Sequence, residues 1–342
     1  MRDPYVAQTD LNAFSDGWFV KEMPDLNQRQ PLLADYLIQN TIWWIEFLGL
    51  GGIRMDTYPY SDAAFMARWS CEVMAAYPGF NMCGEEWSLS PSVLAYWQVG
   101  SQNKDGYVSC LPGLLDFPLH HAFIQCMNEE ELWHSNWVRA YEMLGNDYLY
   151  PDPSNHVIFP DNHDMSRIHS QLGDDINKTR IALYFFATMR GTPQLYYGTE
   201  ILMSNTGNDS HGNIRSDFPG GWPGDSVSGF TGHGLSEESE AFQKEVRELL
   251  QWRKTASAIH GGQLVHFVPE AGSYVYFRFD ASQTIMVILN QSNEAEALDL
   301  ARFDEVLKGR RRLRNAFNGE PMLDGEGALM VLGGAAWVLE VD

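Results

Sequence analysis

The chain has 342 residues, enough for a large α/β domain and a small second domain. Its 45 acidic and 23 basic residues give a formal net charge of −22, which argues against nucleic acid as a partner. No apolar run reaches the roughly 20 residues of a membrane span. Four cysteines without metal-ligand spacing are too few for a disulfide scaffold. We therefore predict buried thiols at Cys71, Cys83, Cys110 and Cys126.

The first predicted elements are a helix and a strand. The polar sequence after Met1 predicts no signal peptide, and residues 1–27 are predicted to be irregular. Apolar spacing then predicts a helix from about Pro31 to Leu48. A glycine-rich turn ends this helix, and a strand over 52–57 follows it.

Strands and helices alternate along the middle of the chain. This alternation predicts parallel βαβ units. The predicted strands cover 80–84, about 114–116, 156–160 and 194–197, and the predicted helices begin near Ser61 or Asp62 and after Pro91 and cover about 118–146 and 177–190.

The spacing of apolar residues changes near the C-terminal end. A charged helix is predicted from Ser236 to about Ala256. Period-two alternation follows, most clearly over 273–279 and 284–289, and predicts an antiparallel β-sandwich. The sequence thus predicts two domains, a catalytic barrel portion over 1–260 and a β-sandwich over 261–342.

Three short motifs carry the chemistry. Residues 52–56, 83–87 and 159–164 each follow an apolar run and contain a carboxylate near their end. Acids at the ends of several parallel strands meet at the C-terminal face of a (β/α) barrel. Because the motifs lack cysteine or paired-histidine ligand spacing, they indicate carboxylate chemistry on an uncharged polyol, with no metal site and no cofactor.

In this order, the motifs resemble the α-amylase family of glycoside hydrolases. That family writes G-x-R-x-D on strand four, G-E-x-W on strand five, N-H-D on strand seven and G-x-P-x-x-Y-Y-G-x-E on strand eight. The matching positions are Arg54 and Asp56, then Gly84, Glu85 and Trp87, then Asn162, His163 and Asp164, and finally 191–200. The resemblance covers the whole chain. It implies a partial (β/α)8 TIM barrel, strands four to eight, followed by a C-terminal antiparallel β-sandwich domain.

The resemblance assigns a role to each acid. Asp56 would be the nucleophile, Glu85 the general acid and Asp164 the stabiliser of the transition state. Two carboxyls roughly 5 Å apart give retention through a covalent glycosyl-enzyme. Arg54, on the same face of its strand as Asp56, would keep that nucleophile ionised.

The acid needs the opposite surroundings. Trp87 and a nearby second carboxylate would raise the pKa of Glu85, so that it stays protonated near neutral pH. Because the family acid directly follows the glycine, Glu86 is interpreted as a supporting or surface residue.

Further positions are expected to bind substrate. Residues 23–27 read M-P-D-L-N, a hybrid of the family signatures M-P-K-L-N and Q-P-D-L-N, and the signature implicates Asn27. The resemblance implies that Asn162 and His163 bind hydroxyls of the cleaved ring. Tyr60 stands where many relatives have histidine, and it would stack on or hydrogen-bond the neighbouring sugar. Arg167 would either steer Asp164 or brace a loop. Trp87 completes the predicted binding set.

The resemblance also implies missing strands. Asp56 belongs on strand four of the family barrel, yet it lies near the start of this chain. We therefore expect strands one to three to be absent, together with the family motif D-x-x-x-N-H. We further expect the chain to have little or no activity on its own. The cellular compartment stays open between the cytoplasm and the periplasm of a bacterium.

The resemblance implies a retaining hydrolase of α-1,4 bonds in maltooligosaccharides, cyclodextrins or pullulan- and starch-type glucans, of the neopullulanase or cyclomaltodextrinase kind. Thr57, directly after the nucleophile, accompanies α-1,4 cleavage in the family. One alternative is a transglycosylase or glucan isomerase with the same acids. Another is a non-catalytic glucan-binding protein. Calcium use, oligomeric state and the choice among linear, cyclic and branched substrates stay open.

Overall fold

The computed structural model describes residues 3–129, 136–324 and 328–342. These residues form two compact units, which are described separately. The N-terminal unit comprises Met1–Leu119 and Gly145–Ile158, and the C-terminal unit comprises His120–Leu144 and Phe159–Asp342. The predicted domain division between 260 and 261 stays a prediction. Residues 130–135, inside the predicted helical region 118–146, lie outside the described residues.

From Pro31 to Leu114 the helices and strands alternate, as the sequence predicts. The prediction that residues 1–27 are irregular is wrong, since they contain a helix and two paired strands. The helices are α1 (Gln8–Ser15), α2 (Pro31–Leu48), α3 (Ala63–Ala76), α4 (Pro91–Trp97), α5 (Phe117–Asn128) and α6 (Val138–Gly145). The strands are β1 (Trp18–Val20), β2 (Met23–Pro24), β3 (Gly52–Met55), β4 (Asn81–Gly84), β5 (Gly113–Leu114) and β6 (Val157–Ile158).

A parallel sheet organises the N-terminal unit. Its order is β3-β4-β5, and an isolated parallel bridge joins Leu115 to Val157 of β6. In this register Arg54 lies opposite Cys83, so β3 and β4 end side by side. Because parallel strands end at the same edge, residues directly after β3 and β4 are close neighbours.

Helix α2 has well-defined ends. The side chain of Gln30 accepts a hydrogen bond from the N–H of Leu33 at 2.7 Å, and Pro31 occupies the first turn, where no N–H is needed. Gly49 ends the helix with φ at 63°, a left-handed conformation that favours glycine. One face of α2 then packs through Ile38 and Ile45 into the core beneath the sheet.

The structure corrects the prediction of four buried thiols. Cys71 of α3 and Cys110 form a disulfide across 39 residues, and only Cys83 and Cys126 are buried free thiols among the described residues. Two cysteines so far apart have no short spacing pattern. Their approach depends on the path of the chain after α4, which the sequence pattern does not specify.

The second half begins with helices and ends in β-strands. The helices are α7 (Ile168–Gln171), α8 (Ile176–Thr188), α9 (His211–Ile214), α10 (Glu237–Arg253), α11 (Ser257–Gly261) and α12 (Asp304–Leu307). The strands are β7 (Thr192–Pro193), β8 (Gln263–His266), β9 (Ser273–Phe279), β10 (Thr284–Asn290), β11 (Glu296–Asp299), β12 (Arg312–Asn315), β13 (Pro321–Asp324), β14 (Ala328–Val331) and β15 (Ala336–Val341).

The last third forms the predicted antiparallel β structure. One sheet has six strands in the order β13-β12-β15-β10-β9-β8, and β11 pairs with β14 in a second sheet. Buried apolar residues of both sheets, including Phe277, Ile288, Leu329 and Val331, share one core. Among the described residues, no helix is long and apolar enough to cross a membrane.

The predicted strand 194–197 is wrong, since the short strand in this region is β7. Tyrosines are common in strands, and this favoured the prediction. The carbonyl of Tyr197 instead accepts a hydrogen bond from the guanidinium of Arg167 at 2.7 Å. Gly198 then turns the chain with φ at 85°.

Candidate active site

Arg54 and Asp56 lie at the end of β3. The two side chains are two residues apart and share one side of the chain. The Nη1 of Arg54 contacts the Oδ1 of Asp56 at 2.6 Å, and the Asp56 side chain is 60% exposed. Asp56 is therefore an accessible carboxylate with a fixed cation beside it.

Glu85 directly follows β4 and is fixed at both its backbone and its carboxylate. Its N–H donates to the carbonyl of Met55 at 2.9 Å, and its carbonyl accepts from the N–H of Tyr58 at 3.1 Å. The carboxylate accepts from the N–H of Thr57 at 3.0 Å and contacts the Nη2 of Arg54. One guanidinium thus contacts the carboxylates of both predicted catalytic acids.

The two acids lie in different electrostatic surroundings. Glu85 is only 5% exposed. Burial, followed by a hydrogen bond with Asp56, raises the pKa of Glu85 to about 7, against the opposing effects of the Thr57 N–H and Arg54. Near neutral pH, Glu85 can therefore hold a proton beside an accessible carboxylate.

Glu86 is buried, so the surface alternative for this residue is wrong. It is 6% exposed, and its Oε2 accepts a hydrogen bond from the indole N–H of Trp97 at 3.0 Å. Burial raises the pKa of Glu86. Its hydrogen bond directs it toward the protein interior, in keeping with a supporting position.

Aromatic rings lie near the acids. Tyr60 stacks on Phe14 with ring centroids 4.2 Å apart and meets the ring of Phe19 edge to face at 4.7 Å. Burial first, and then the charges of Glu86 and Glu85, raise the pKa of Tyr60. This ring therefore lies within electrostatic range of the candidate acid.

Trp87 and Asn27 occupy more exposed positions. Trp87 is 46% exposed and stacks on Phe117 at 4.4 Å. The side chain of Asn27 accepts a hydrogen bond from the N–H of Arg29 at 3.2 Å, in the turn that precedes α2. Their substrate contacts stay predictions.

A cavity of about 510 Å³ opens beside Asp56 in the N-terminal unit. Asp25 and Leu26 of the predicted signature segment line it together with Asp56 and Thr57. Residues from α2, β3 and α3, including Trp44, Met55 and Trp69, form the rest of the wall. The signature segment and the candidate nucleophile therefore face one space.

The N-H-D motif forms a second cluster, in the C-terminal unit. The side chain of Asn162 accepts from the N–H of Asp164 at 2.8 Å. The Nε2 of His163 lies 3.1 Å from the Oδ2 of Asp164. The Nη2 of Arg215 pairs with the Oδ1 of Asp164 at 2.6 Å, and the Nε of Arg215 donates to the carbonyl of His163 at 2.8 Å.

The sequence motifs assign no individual role to Arg215, which belongs to a long glycine-rich loop after the strand-eight motif. Arg215 directly follows α9, and its guanidinium also lies 3.0 Å from the Nδ1 of His211. The sequence signal is weak, since a cation in a long loop after strand eight has many uses. Only the folded loop brings it to Asp164.

Arg167 is fully buried and braces a loop. Its guanidinium lies over the rings of Tyr196 and Tyr197, at 4.8 and 5.1 Å from the ring centroids. The backbone N–H of Arg167 donates a hydrogen bond to the side-chain oxygen of Asn205 at 2.8 Å. Nearby, the fully buried Asp161 accepts hydrogen bonds from the N–H of Ile168 and the hydroxyl of Thr199. Burial raises the pKa of Asp161 to about 6. These contacts favour loop bracing, the second expectation for Arg167.

The structure thus brings Arg54, Asp56 and Glu85 together in one unit, and Asn162, His163, Asp164 and Arg215 together in the other. That all three acids surround one cavity stays a prediction. Within the described ranges, no group of three or more His, Cys, Asp or Glu side chains could hold a metal ion.

Comparison with known families assigns the chain to one of them. The family model described as the α-amylase catalytic domain matches residues 10–274. The chain belongs to the α-amylase family. A second family model, the cyclo-malto-dextrinase C-terminal domain, matches residues 264–340. The predicted fold class, a barrel portion followed by an antiparallel β domain, is confirmed.

Among curated relatives, a cyclomaltodextrinase from Geobacillus thermopakistaniensis is 26% identical over 287 residues, covering 82% of this chain and 44% of its own length. A maltogenic α-amylase from Bacillus acidopullulyticus is 24% identical over 320 residues, covering 92% of this chain and 49% of its own length. This chain therefore spans about half the length of these relatives.

Solved structures show the same fold. The α-amylase from Geobacillus thermoleovorans, in complex with acarbose, superposes with a TM-score of 0.78 at 23% identity. That match covers 100% of this chain and 71% of the other. The α-amylase from H. orenii gives a TM-score of 0.71 at 23% identity, and the match covers 95% of this chain and 67% of the other.

Proposed function

We propose that this chain carries the catalytic acids of a retaining glycoside hydrolase that cleaves α-1,4-glucosidic bonds. Asp56 is the nucleophile, Glu85 the general acid and base, and Asp164 the stabiliser of the transition state. The substrates are maltooligosaccharides, cyclodextrins or pullulan- and starch-type glucans. Relatives named cyclomaltodextrinase and maltogenic α-amylase support this substrate class.

One observation carries the proposal. A buried carboxyl whose pKa is raised to about 7, Glu85, lies beside the exposed carboxylate Asp56, and both contact Arg54. A retaining glycosidase needs this pair, one group to give a proton and one to attack carbon. The raised pKa matches the first task and the exposure matches the second.

The steps follow from these positions. Glu85 protonates the glycosidic oxygen as the bond to the anomeric carbon breaks, and Asp56 attacks that carbon to form an ester. The Glu85 carboxylate then removes a proton from water, which attacks the anomeric carbon and releases Asp56. Asp164, held by Arg215, presents a carboxylate to the positive charge that develops on the ring.

Replacement of the nucleophile tests the first role. In a form of the protein that carries the complete family barrel, Asp56→Asn should abolish release of reducing ends from maltooligosaccharides while leaving the circular-dichroism spectrum unchanged. An amide cannot replace the attacking carboxylate, and such losses reach several orders of magnitude. Turnover within about tenfold of the parent would assign the nucleophile elsewhere.

Replacement of the acid tests the second role. Glu85→Gln should reduce turnover of maltooligosaccharides far more than turnover of aryl maltosides, because a good leaving group needs little protonation. Glu86→Gln is the matched control. Equal losses on both substrates for Glu85→Gln would move the acid role to another residue.

Transglycosylation is the second candidate, favoured by relatives named cyclomaltodextrin glucanotransferase. The same acids serve both reactions, and the difference lies in whether water or a sugar hydroxyl accepts the glycosyl group. Products from maltotriose separate the two. Larger and smaller saccharides without a net gain of reducing ends would replace the hydrolase with a transferase, and tight binding without either product would favour a binding protein.

A further inference from the structure

A loop of the C-terminal unit, residues 217–230, holds large aromatic side chains at the surface. The exposed fraction is 65% for Trp222 and 71% for Phe230. Phe218 meets the ring of Phe230 edge to face, with centroids 4.8 Å apart. The loop thus keeps two apolar rings in water, whereas side chains of this size usually lie at least partly in a core or an interface.

Two carboxylates hold Trp222 in place. The indole N–H donates to the Oδ2 of Asp217 at 2.8 Å. The backbone N–H groups of Trp222 and Gly220 donate to the Oδ2 of Asp225 at 3.1 and 2.8 Å. Because Asp217 already satisfies the indole N–H, the surface that Trp222 offers to a ligand is the flat apolar ring.

The base of the loop is closely packed. The N–H of Gly229 donates to the carbonyl of Pro219 at 2.9 Å. A Cβ on Gly229 would lie 2.5 Å from the ring of Phe218, so a larger residue would displace that ring. This packing and the two carboxylates hold an exposed indole in one position. Ordering the indole costs side-chain entropy, and an exposed ring gains little burial to offset that cost.

The loop also begins close to the candidate acid Asp164. Asp217 comes two residues after Arg215, which contacts both Asp164 and the carbonyl of His163. The segment that presents Trp222 is therefore continuous with the segment that fixes Asp164.

The chemistry of the loop selects a neutral ring. The pyranose rings of an α-glucan carry no charge, and their C–H faces are flat and apolar enough to pack on an indole. Asp217 and Asp225 within the loop, in a chain with net charge −22, disfavour anionic ligands.

We propose that Trp222 binds a glucosyl ring of an α-glucan by stacking, at a subsite separate from the bond that is cleaved. This inference rests on the proposed function for its ligand class. It adds a binding residue that none of the sequence motifs contains.

The test is calorimetric titration of the full chain with maltoheptaose and with maltotriose, in an Asp56→Asn background so that the ligand is not consumed. We expect Trp222→Ala to weaken maltoheptaose binding about tenfold, which corresponds to about 1.4 kcal/mol. Maltotriose binding should change less, because the shorter ligand cannot fill both subsites. Trp222→Phe keeps an aromatic face and should retain most of the affinity.

Tyr148→Ala is the matched control, since Tyr148 is 99% exposed in the other unit and should leave both affinities unchanged. Equal maltoheptaose affinity for Trp222→Ala and its parent, or no maltoheptaose binding by the parent, would overturn the stacking subsite. The proposed function fails separately, if a form with the complete family barrel and Asp56 intact binds α-glucans but releases no products from them.

Discussion

At the residue scale, the raised pKa of Glu85 predicts the pH dependence of catalysis. Glu85 must hold a proton to act as acid, and it loses that proton as pH rises through about 7. We therefore expect kcat/KM for maltooligosaccharides to fall above about pH 7. Rates measured from pH 5 to about 9 would check this, and a profile still flat at about pH 9 would contradict it. In Glu85→Gln, the residual kcat/KM should no longer show this fall at high pH.

Arg215 predicts a second residue effect. Arg215→Ala removes the cation that fixes the Oδ1 of Asp164, so the carboxylate is less well oriented toward the reacting ring. We expect kcat to fall by about tenfold to a hundredfold, with a smaller change in KM. Arg215→Lys should recover part of kcat. Steady-state kinetics of a form with the complete family barrel would decide.

The control for Arg215 is Arg302→Ala, which breaks a pair with Glu270 in the C-terminal β structure. It should leave kcat unchanged. If Arg215→Ala behaves like Arg302→Ala, Arg215 does not position Asp164.

The site residues differ in how far the sequence could predict them. Asp56 and Glu85 directly follow short strands, so a local pattern locates both at one sheet edge. Arg215 reaches Asp164 across 51 residues, and that pairing depends on how a long loop folds. The burial of Glu86 likewise depends on Trp97, which a later helix supplies.

At the scale of elements, the disulfide between Cys71 and Cys110 predicts an effect on stability. It connects α3 to the segment after α4 and closes a loop of 39 residues. Replacing both cysteines with serine should lower the free energy of unfolding by about 2–4 kcal/mol, because the unfolded chain regains freedom. Urea denaturation would measure this.

A reducing agent provides the control for that experiment. Dithiothreitol should lower the stability of the parent to near that of the double variant and leave the double variant unchanged. Equal stability of parent and double variant without reductant would show that this crosslink does not contribute.

Elements with strong local signals were predicted well. The amphipathic pattern, the early proline and the terminal glycine specify α2 as Pro31–Leu48, and alternation specifies β9 as Ser273–Phe279. Residues 194–197 have strand-forming side chains, but the buried Arg167 takes the carbonyl of Tyr197. A contact across 30 residues outweighs the local preference there.

At the scale of the whole molecule, an aromatic face on α2 predicts self-association. Trp43 and Phe47 stack on each other at 4.7 Å and are 50% and 65% exposed. β3, beside this helix, is a terminal strand of its sheet. Exposed aromatic patches and sheet edges favour association between chains. We expect the mean mass in sedimentation experiments to rise with concentration.

Polar substitutions on that face should reverse the effect. The double variant Trp43→Gln and Phe47→Glu should sediment closer to a monomer, whereas Tyr148→Ser should not change the mass. A concentration-independent monomer for the parent would rule out association through this face.

The shared contact of Arg54 also bears on the timing of proton transfer. In the covalent intermediate of the proposed mechanism, Asp56 is an ester without charge and no longer raises the pKa of Glu85. Arg54 then has Glu85 as the remaining charged carboxylate of the pair, and its cation favours ionised Glu85. The Glu85 carboxyl would thus hold its proton tightly before bond cleavage and loosely afterwards. In the proposed mechanism, the state of Asp56 switches Glu85 from acid to base.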